Sequence, residues 1–258
     1  MVCKFRKEGA GDYTASSEFE QKRSKYLHRI FSVRNIREVC MEKISTQDFR
    51  FLDSKTYRRK EHFEYFSGLA YPYVGLTVNV DITKLQDRIR ADRLPFFLTI
   101  CYCVSRAANR VPEFRQRILD GKIAEFVRCK TSHTVALENG TYCYCTLEDD
   151  MPFAEYIVYA SSAQEEAKRQ GSIAEAEEDI YDKFFISTLP WVSYTSLIQP
   201  VPVPADSNPR ITWGKYFRQG EQTLLPVSVL CHHALVDGRH IGDFYRYLEE
   251  EMSWITGE

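Results

Sequence analysis

The stretch Cys231–His240 reads CHHALVDGRH and places three of the chain's six histidines and one aspartate within ten residues. Before it, the apolar run LPVSVL (225–230) predicts a buried strand. After it, apolar residues at helical spacing predict an amphipathic helix. A side chain at the end of a buried strand is held rigidly and can still face a cleft. Because imidazole titrates near neutral pH, a histidine placed there is suited to accept a proton from a hydroxyl.

The paired histidines and the aspartate admit several interpretations. A zinc site needs three or four ligands, and the H-x-x-x-D spacing of His233 and Asp237 has no obvious further partner. A serine hydrolase of the α/β type needs a G-x-S-x-G elbow, and the sequence contains none. Gly238 permits a tight turn before the helix, and Asp237 would orient a side chain or fix that turn. On the residues alone, a metal ligand, a catalytic base, a packed turn and a hydrogen-bonded buried histidine remain open.

The bulk composition is that of an ordinary globular protein. The 258 residues are 44% apolar and 27% charged. The formal net charge of −2 gives no basic footprint, so we expect no nucleic-acid partner. No apolar run reaches the roughly 18 residues of a membrane span, and the N-terminal segment lacks the apolar region of a signal peptide. We therefore expect a cytoplasmic protein that does not enter the membrane.

The eight cysteines fit the same compartment. None forms a C-x-x-C, and the two C-x-C pairs stand in apolar or aromatic surroundings. Metal sites built from cysteine favour better spacing with histidines nearby. We therefore expect buried, reduced thiols and no metal.

The chain divides into an N-terminal arm and one large domain. Residues 1–40 are polar, charged and only weakly amphipathic, and their role is open; a domain of residues 41–258 follows. In that domain, periodicity predicts strands and helices in alternation. The predicted elements are a helix around 57–66, a strand at 73–83, a helix ending near Arg110, strands within 122–147 with a turn at 138–140, a helical pattern over 151–184, a strand pair within 184–197, strands at 211–217 and 224–233, and a helix over 241–255. Mixed helices and hairpin-connected strands predict an α/β sandwich.

The motif H-H-x-x-x-D-G at 232–238 resembles the signature of the chloramphenicol acetyltransferase family, which the catalytic domain of dihydrolipoamide acyltransferases shares. Other segments resemble that family in the same order along 41–258. They are TYRRKEHFEYF (56–66), RVPEFRQRILDGKI (110–123), SHTV (132–135), FFISTLPWVSYTS (184–196) and TWGKYF (212–217).

The resemblance implies a fold and an activity. The fold is an α/β two-layer sandwich of the CoA-dependent acyltransferase type, with a mixed sheet covered by helices. The family's members are homotrimers whose sites lie at subunit boundaries, with the histidine from one subunit and much of the acceptor pocket from the next. The activity is transfer of acetyl from acetyl-CoA, the co-substrate, to a hydroxyl of chloramphenicol. Both substrates meet in one ternary complex, and the antibiotic is inactivated.

The resemblance also assigns roles to individual residues. His233 is the general base that takes the hydroxyl proton. Ser187 donates to the oxyanion of the tetrahedral intermediate, and Thr212 helps to place that intermediate through water. Asp237 is structural and pairs with Arg59, and this pair holds the turn that bears His233. His232 and His240 receive no chemistry.

Two further sets of positions match the family's binding sites. The CoA channel is matched by Trp191, Lys215 and Tyr216. The acceptor pocket is matched by Phe66, Thr134 and Tyr144, although Phe66 stands where the family often has tyrosine. Gln199 and Arg210 fall near pocket positions that are aliphatic in the family. The alternatives are therefore an acyltransferase for another hydroxyl acceptor and a non-catalytic trimeric binding protein with the same fold.

Overall fold

A computed structural model of the protein describes residues 49–172 and 180–257. The predicted arm, residues 1–40, lies outside the described residues, as do Cys3 and Cys40. The other six cysteines are free and buried, as the sequence predicts. Across the described ranges no helix has the length and apolar character required to cross a membrane.

The described residues form ten strands and five α-helices. The strands are β1 (Phe49–Phe51), β2 (Tyr73–Asp81), β3 (Gln116–Leu119), β4 (Lys122–Phe126), β5 (Lys130–Ala136), β6 (Tyr142–Leu147), β7 (Lys183–Leu189), β8 (Arg210–Gly214), β9 (Phe217–Gln219) and β10 (Gln222–His232). The helices are α1 (Lys60–Ser67), α2 (Thr83–Asp92), α3 (Phe96–Asn109), α4 (Phe153–Gln170) and α5 (Gly238–Thr256), with a 3₁₀ turn at Pro112–Arg115.

Two sheets organise these strands. The larger has the order β2-β10-β8-β7-β5-β6, with β9 paired to β10, and the smaller has the order β1-β4-β3. Strand β7 runs parallel to both β5 and β8, whereas the remaining pairs of the larger sheet are antiparallel. The α/β class with a mixed sheet and covering helices is thus confirmed.

The two faces of the large sheet differ in chemistry because strand side chains alternate between faces. One face is apolar and packs against helices α2 to α5. Its buried members on β7, β8 and β10 include Ile186, Ile211, Trp213, Val227 and Val229. The intervening residues are polar: Ser187 pairs with Thr212, and Thr212 pairs with Ser228. The face away from the helices therefore carries a row of hydroxyls.

Helix α5 follows the predicted periodicity and anchors the apolar layer. Its buried residues include Ile241, Phe244, Tyr245, Leu248, Met252 and Ile255. Phe244 stacks on Phe114 at 5.5 Å between ring centroids. The Tyr245 hydroxyl donates to the Val227 carbonyl at 2.7 Å, which satisfies a buried polar group of the helix–sheet interface.

Three predicted elements differ from the structure. The strand predicted at 211–217 ends at Gly214, and a separate strand, β9, begins at Phe217. The predicted strand pair within 184–197 is a single strand, because β7 ends at Leu189 and Pro190 cannot donate to a ladder; the Val192 N–H instead donates back to the Leu189 carbonyl at 3.3 Å. The helical pattern of 151–184 yields a helix that ends at Gln170, because Gly171 takes a left-handed conformation that closes it.

Candidate active site

The turn that bears His233 is built from backbone hydrogen bonds at the end of β10. The N–H groups of Leu235 and Val236 both donate to the His232 carbonyl at 3.0 Å. The His233 N–H donates to the Pro72 carbonyl at 2.7 Å, which ties the turn to the residue before β2. The backbone of His233 is therefore held both by hydrogen bonds within the turn and by the bond to Pro72.

The imidazole of His233 has one nitrogen engaged. Its Nδ1 lies 2.8 Å from the Val236 carbonyl oxygen. Since a carbonyl only accepts, Nδ1 carries the proton in this bond and Nε2 holds the lone pair. The ring stacks on Phe66, with centroids 3.8 Å apart and planes at 27°. His233 is thus held in one tautomer and orientation, with Nε2 able to accept a proton.

An ion pair braces this turn from the side of α1. Arg59 Nη1 donates to Asp237 Oδ2, and Arg59 Nη2 donates to the His233 carbonyl at 3.3 Å. Arg59 precedes α1 rather than lying within it, and the neighbouring Arg58 is exposed. The structure therefore brings together Arg59, Asp237 and the backbone of His233.

Asp237 has a second partner in the helix that follows it. Its Oδ1 accepts from the N–H groups of Arg239 at 3.0 Å and His240 at 3.4 Å, and His240 Nδ1 accepts from the Asp237 N–H at 3.1 Å. This reciprocal cap starts α5. Partial burial raises the pKa of Asp237, but the charges of His240 and Arg59 and the two N–H groups outweigh burial and lower it overall.

The sequence predicts that Gly238 permits a tight turn, but in the structure the turn lies before this residue. Gly238 is the first residue of α5, and a Cβ placed on it would meet no atom within 4 Å. The sharp change of direction comes from the turn at 233–236 and from the Asp237 cap. His240, which the sequence left without a role, completes that cap.

His232 is chemically distinct from its neighbour. It is 4% exposed, and its Nδ1 accepts from the Ala234 N–H at 3.3 Å. Burial lowers the pKa of His232 to about 4; nearby Asp206 opposes this shift, and His233 adds to it. Near neutral pH the ring is therefore uncharged and supports the turn.

The row of hydroxyls on the open face of the sheet extends across four strands. Ser228 Oγ lies 2.6 Å from Thr77 Oγ1 and donates to the Tyr194 hydroxyl at 3.3 Å. That hydroxyl donates to the Thr212 carbonyl at 3.0 Å. Thr212 pairs with Ser187 on β7. Sequence reasoning missed Ser228 and Tyr194; the signal for Ser228 was a single serine within an apolar strand.

A cavity of about 500 Å³ opens on this face. It brings together Ser187 and Thr212 with two of the predicted acceptor-site residues, Thr134 and Tyr144, which pair across β5 and β6. Arg210 lines the same cavity. Phe66, the third predicted acceptor-site residue, instead lies against His233.

His233 is separated along its own chain from the Ser187–Thr212 pair. It stands five residues after Ser228, which pairs with Thr212. At about 3.3 Å per residue of strand, the separation is about 16 Å. A single protomer therefore does not bring the imidazole within hydrogen-bonding range of Ser187 or Thr212.

The residues that match the CoA channel lie together at one end of β7 and β8. Leu189 and Gly214 pair at the ends of these strands. Trp191 follows the first and is 77% exposed. Lys215 and Tyr216 follow the second, and the Lys215 N–H donates to the Val192 carbonyl at 2.8 Å. These three exposed side chains thus lie at the same end of strands β7 and β8, beyond the Ser187–Thr212 pair.

Comparison with known proteins gives one family. The family model of chloramphenicol acetyltransferase matches residues 47–249. A chloramphenicol acetyltransferase of a Klebsiella species is 31% identical over 215 residues, which are 81% of this chain and 96% of that protein.

Solved structures give the same result for the fold. A chloramphenicol acetyltransferase structure has a TM-score of 0.74 and 25% identity, covering 79% of this chain and 99% of that chain. The cubic core of the pyruvate dehydrogenase multienzyme complex has a TM-score of 0.58 and 16% identity, covering 75% of this chain and 87% of that chain. The latter likeness shows the shared CoA-dependent acyltransferase fold.

Titration of His232 predicts how stability depends on pH. Because its pKa is lower in the folded protein than the ordinary 6.5, the unfolded chain takes up the proton first as the pH falls. Stability should therefore decrease between about pH 6.5 and about pH 4. The His232→Asn variant keeps an acceptor for the Ala234 N–H without titrating, so its stability should fall less over that range. Urea unfolding at pH 7 and pH 5 measures the difference; equal losses in both proteins would contradict the assignment.

Proposed function

The chain belongs to the chloramphenicol acetyltransferase family and is an acyltransferase, and from this membership we propose that it transfers acetyl from acetyl-CoA to a hydroxyl of chloramphenicol. The observation that carries the proposal is the bond between His233 Nδ1 and the Val236 carbonyl, which leaves Nε2 as the proton acceptor. A base fixed in this way suits an alcohol nucleophile.

His233 Nε2 takes the proton of the acceptor hydroxyl as its oxygen attacks the thioester carbonyl. The tetrahedral intermediate then collapses, the bond from carbon to sulfur breaks, and the proton on His233 passes to the CoA sulfur, which leaves as the thiol. The products are the acetyl ester and CoA, and no acyl-enzyme forms. Both substrates are held in one site, which removes the cost of a bimolecular encounter at the reacting atoms.

Ser187 supplies the hydrogen bond to the oxyanion, and Thr212 helps to place the intermediate through water. Their pairing on adjacent parallel strands at the cavity supports these roles. Strand-borne donors are fixed before reaction, which is the basis of oxyanion stabilisation. Loss of one such donor typically costs about 3 kcal/mol of transition-state stabilisation. Arg59 and Asp237 act through the turn of His233 as positioning residues.

The complete site lies between two protomers of a homotrimer. The separation of about 16 Å between His233 and the Ser187–Thr212 row supports this arrangement. The base of one protomer would face the cavity of the next, with Thr134 and Tyr144 on the acceptor side and Phe66 beside the base. Trp191, Lys215 and Tyr216 would contact CoA, since exposed aromatic rings and a lysine suit a nucleotide and its phosphates.

A different hydroxyl acceptor is the second candidate. The specific observation in its favour is Gln199, a polar side chain that lines the acceptor cavity where the family has aliphatic residues. The same base and oxyanion donor would serve such an acceptor, so the two candidates differ only in the compound that is acetylated.

The first test is release of free thiol from acetyl-CoA in the presence of chloramphenicol. We expect chloramphenicol-dependent release in the unmodified protein and none above background in His233→Ala, because no other residue takes the hydroxyl proton. The exposed His62 provides the matched control, and His62→Ala should retain release. Release that survives His233→Ala would disprove the base. Release with other alcohols but not with chloramphenicol would retain the mechanism and replace the acceptor.

The second test concerns the brace. Arg59→Ala should lower kcat at least about tenfold with little change in the KM for acetyl-CoA. The variant removes the ion pair that holds the turn of His233, whereas the residues that match the CoA channel are unchanged. Arg58→Ala removes an exposed arginine beside it and should have no such effect. Steady-state kinetics with both variants decide the point. An unchanged kcat with a raised KM for acetyl-CoA would assign Arg59 to CoA binding instead.

The third test asks whether two protomers share each site. His233→Ala and Ser187→Ala proteins should each be severely impaired as pure assemblies. After the two are unfolded together and refolded as a mixture, about a quarter of the boundaries in a cyclic trimer would join an intact His233 to an intact Ser187. The mixture should therefore regain activity above both parents. Refolded mixtures no more active than their parents would place both residues of each site in one protomer.

A further inference from the structure

Arg210 is a buried cation in the wall of the acceptor cavity. It is 9% exposed and opens β8 two residues before Thr212, so the two side chains lie on the same face of the sheet. The cavity that Ser187 and Thr212 line also contacts Arg210. Arg210 therefore forms part of the wall of the space in which an acceptor would bind.

The position of the guanidinium is fixed by a fork of hydrogen bonds. Nη1 donates to Asp206 Oδ1 at 2.8 Å, and Nη2 donates to Asp206 Oδ2 at 2.7 Å. Nη1 also donates to the Asn208 carbonyl at 3.2 Å. The Tyr73 hydroxyl donates to Asp206 Oδ1 at 3.0 Å, which holds the carboxylate in turn. The pair is thus rigid, and Asp206 compensates the charge of Arg210.

Two N–H groups of this guanidinium remain. A guanidinium has five N–H donors, and the three bonds to Asp206 and Asn208 use one on Nη2 and both on Nη1. The Nε–H and the second Nη2–H have no partner within residues 49–172 and 180–257. These two groups lie on the same edge of the planar group and point in the same direction. The ring centroid of Phe185, another cavity residue, lies 5.4 Å from the guanidinium carbon.

A pair of parallel N–H donors suits a group with two oxygens. Asp206 already compensates the positive charge of Arg210, so a carboxylate ligand would bring an uncompensated negative charge into the cavity. A neutral group with two oxygens would not. We infer that the free edge of Arg210 binds a neutral two-oxygen group of the acceptor, such as the nitro group of chloramphenicol, and thereby selects the acceptor. This inference rests on the proposed function, because it assigns the acceptor to the cavity that Ser187 lines. An apolar group in the same place would leave both donors unsatisfied.

The test measures binding rather than turnover. Isothermal titration calorimetry compares chloramphenicol with its analogue in which hydrogen replaces the nitro group. The unmodified protein should bind chloramphenicol at least about tenfold more tightly, as expected for hydrogen bonds to a charged donor. A ratio below about threefold would overturn the inference, and this comparison needs no variant to fold.

A second experiment uses a double variant that replaces both members of the ion pair. Asp206→Asn with Arg210→Met removes both charges together, since removing one alone would leave a buried unpaired charge; Asn keeps an acceptor for Tyr73. The binding ratio should fall below about threefold in this double variant. Arg218→Met, which removes an exposed arginine of β9, should keep the ratio of the unmodified protein. A double variant that still discriminates about tenfold would assign recognition to other residues.

Thiol release with the same two compounds separates this inference from the proposed function. Binding with nitro discrimination but without thiol release would overturn the proposed chemistry and support the role of Arg210. Thiol release without discrimination would support the chemistry and overturn the role of Arg210. Absence of binding by either compound would overturn both.

Discussion

The ion pair between Arg59 and Asp237 is the interaction on which the rest of the site depends. It joins the segment before α1 to the first turn of α5, and it encloses the loop that presents His233. Asp237 also caps α5, so one carboxylate compensates a guanidinium and the positive end of a helix. A lysine would not serve in the same way, because it lacks the fork that reaches both Asp237 and the His233 carbonyl.

The division of the large sheet into two faces separates stability from chemistry. The apolar face holds the helices, and its side chains account for much of the buried core. The opposite face carries the hydroxyl row, the cavity and the Arg210–Asp206 pair. Substitutions on the chemical face therefore alter groups that the core does not need. The exceptions are the Arg210–Asp206 pair, in which removal of one member leaves a buried unpaired charge, and the Tyr194 hydroxyl, which ties the segment after β7 to β8.

Local patterns in the sequence were sufficient for the elements on either side of His233. An apolar run predicted β10, and helical periodicity predicted α5 with its buried residues. The prediction of a strand pair within 184–197 was wrong, because a proline cannot donate a backbone hydrogen bond and ends the strand despite the apolar residues around it. The turn lies before Gly238 rather than at it, because the cap that starts α5 uses the side chains of Asp237 and His240, which spacing alone did not reveal.

The contacts within the site were less accessible to sequence reasoning. The partnership of Ser187, Thr212 and Ser228 depends on the register of three strands, two of them parallel and far apart in sequence. The fork between Arg210 and Asp206 is local, four residues apart, yet its place in the cavity follows only from the sheet. The resemblance to a family identified the candidate site residues. Which of these residues lie side by side depends on how the strands pair, and the sequence did not show that pairing.

The ion pair between Arg59 and Asp237 also determines when the site can form during synthesis of the chain. Arg59 and Asp237 are separated by 178 positions. A ribosome releases the first long before it has made the second, and such distant contacts form late because a long loop must close first. A nascent chain that already holds its first helix and several strands therefore still lacks the clamp around His233. Under the proposed mechanism, catalytic competence would arise only once α5 has formed, so activity would report the joining of α5 to the segment before α1.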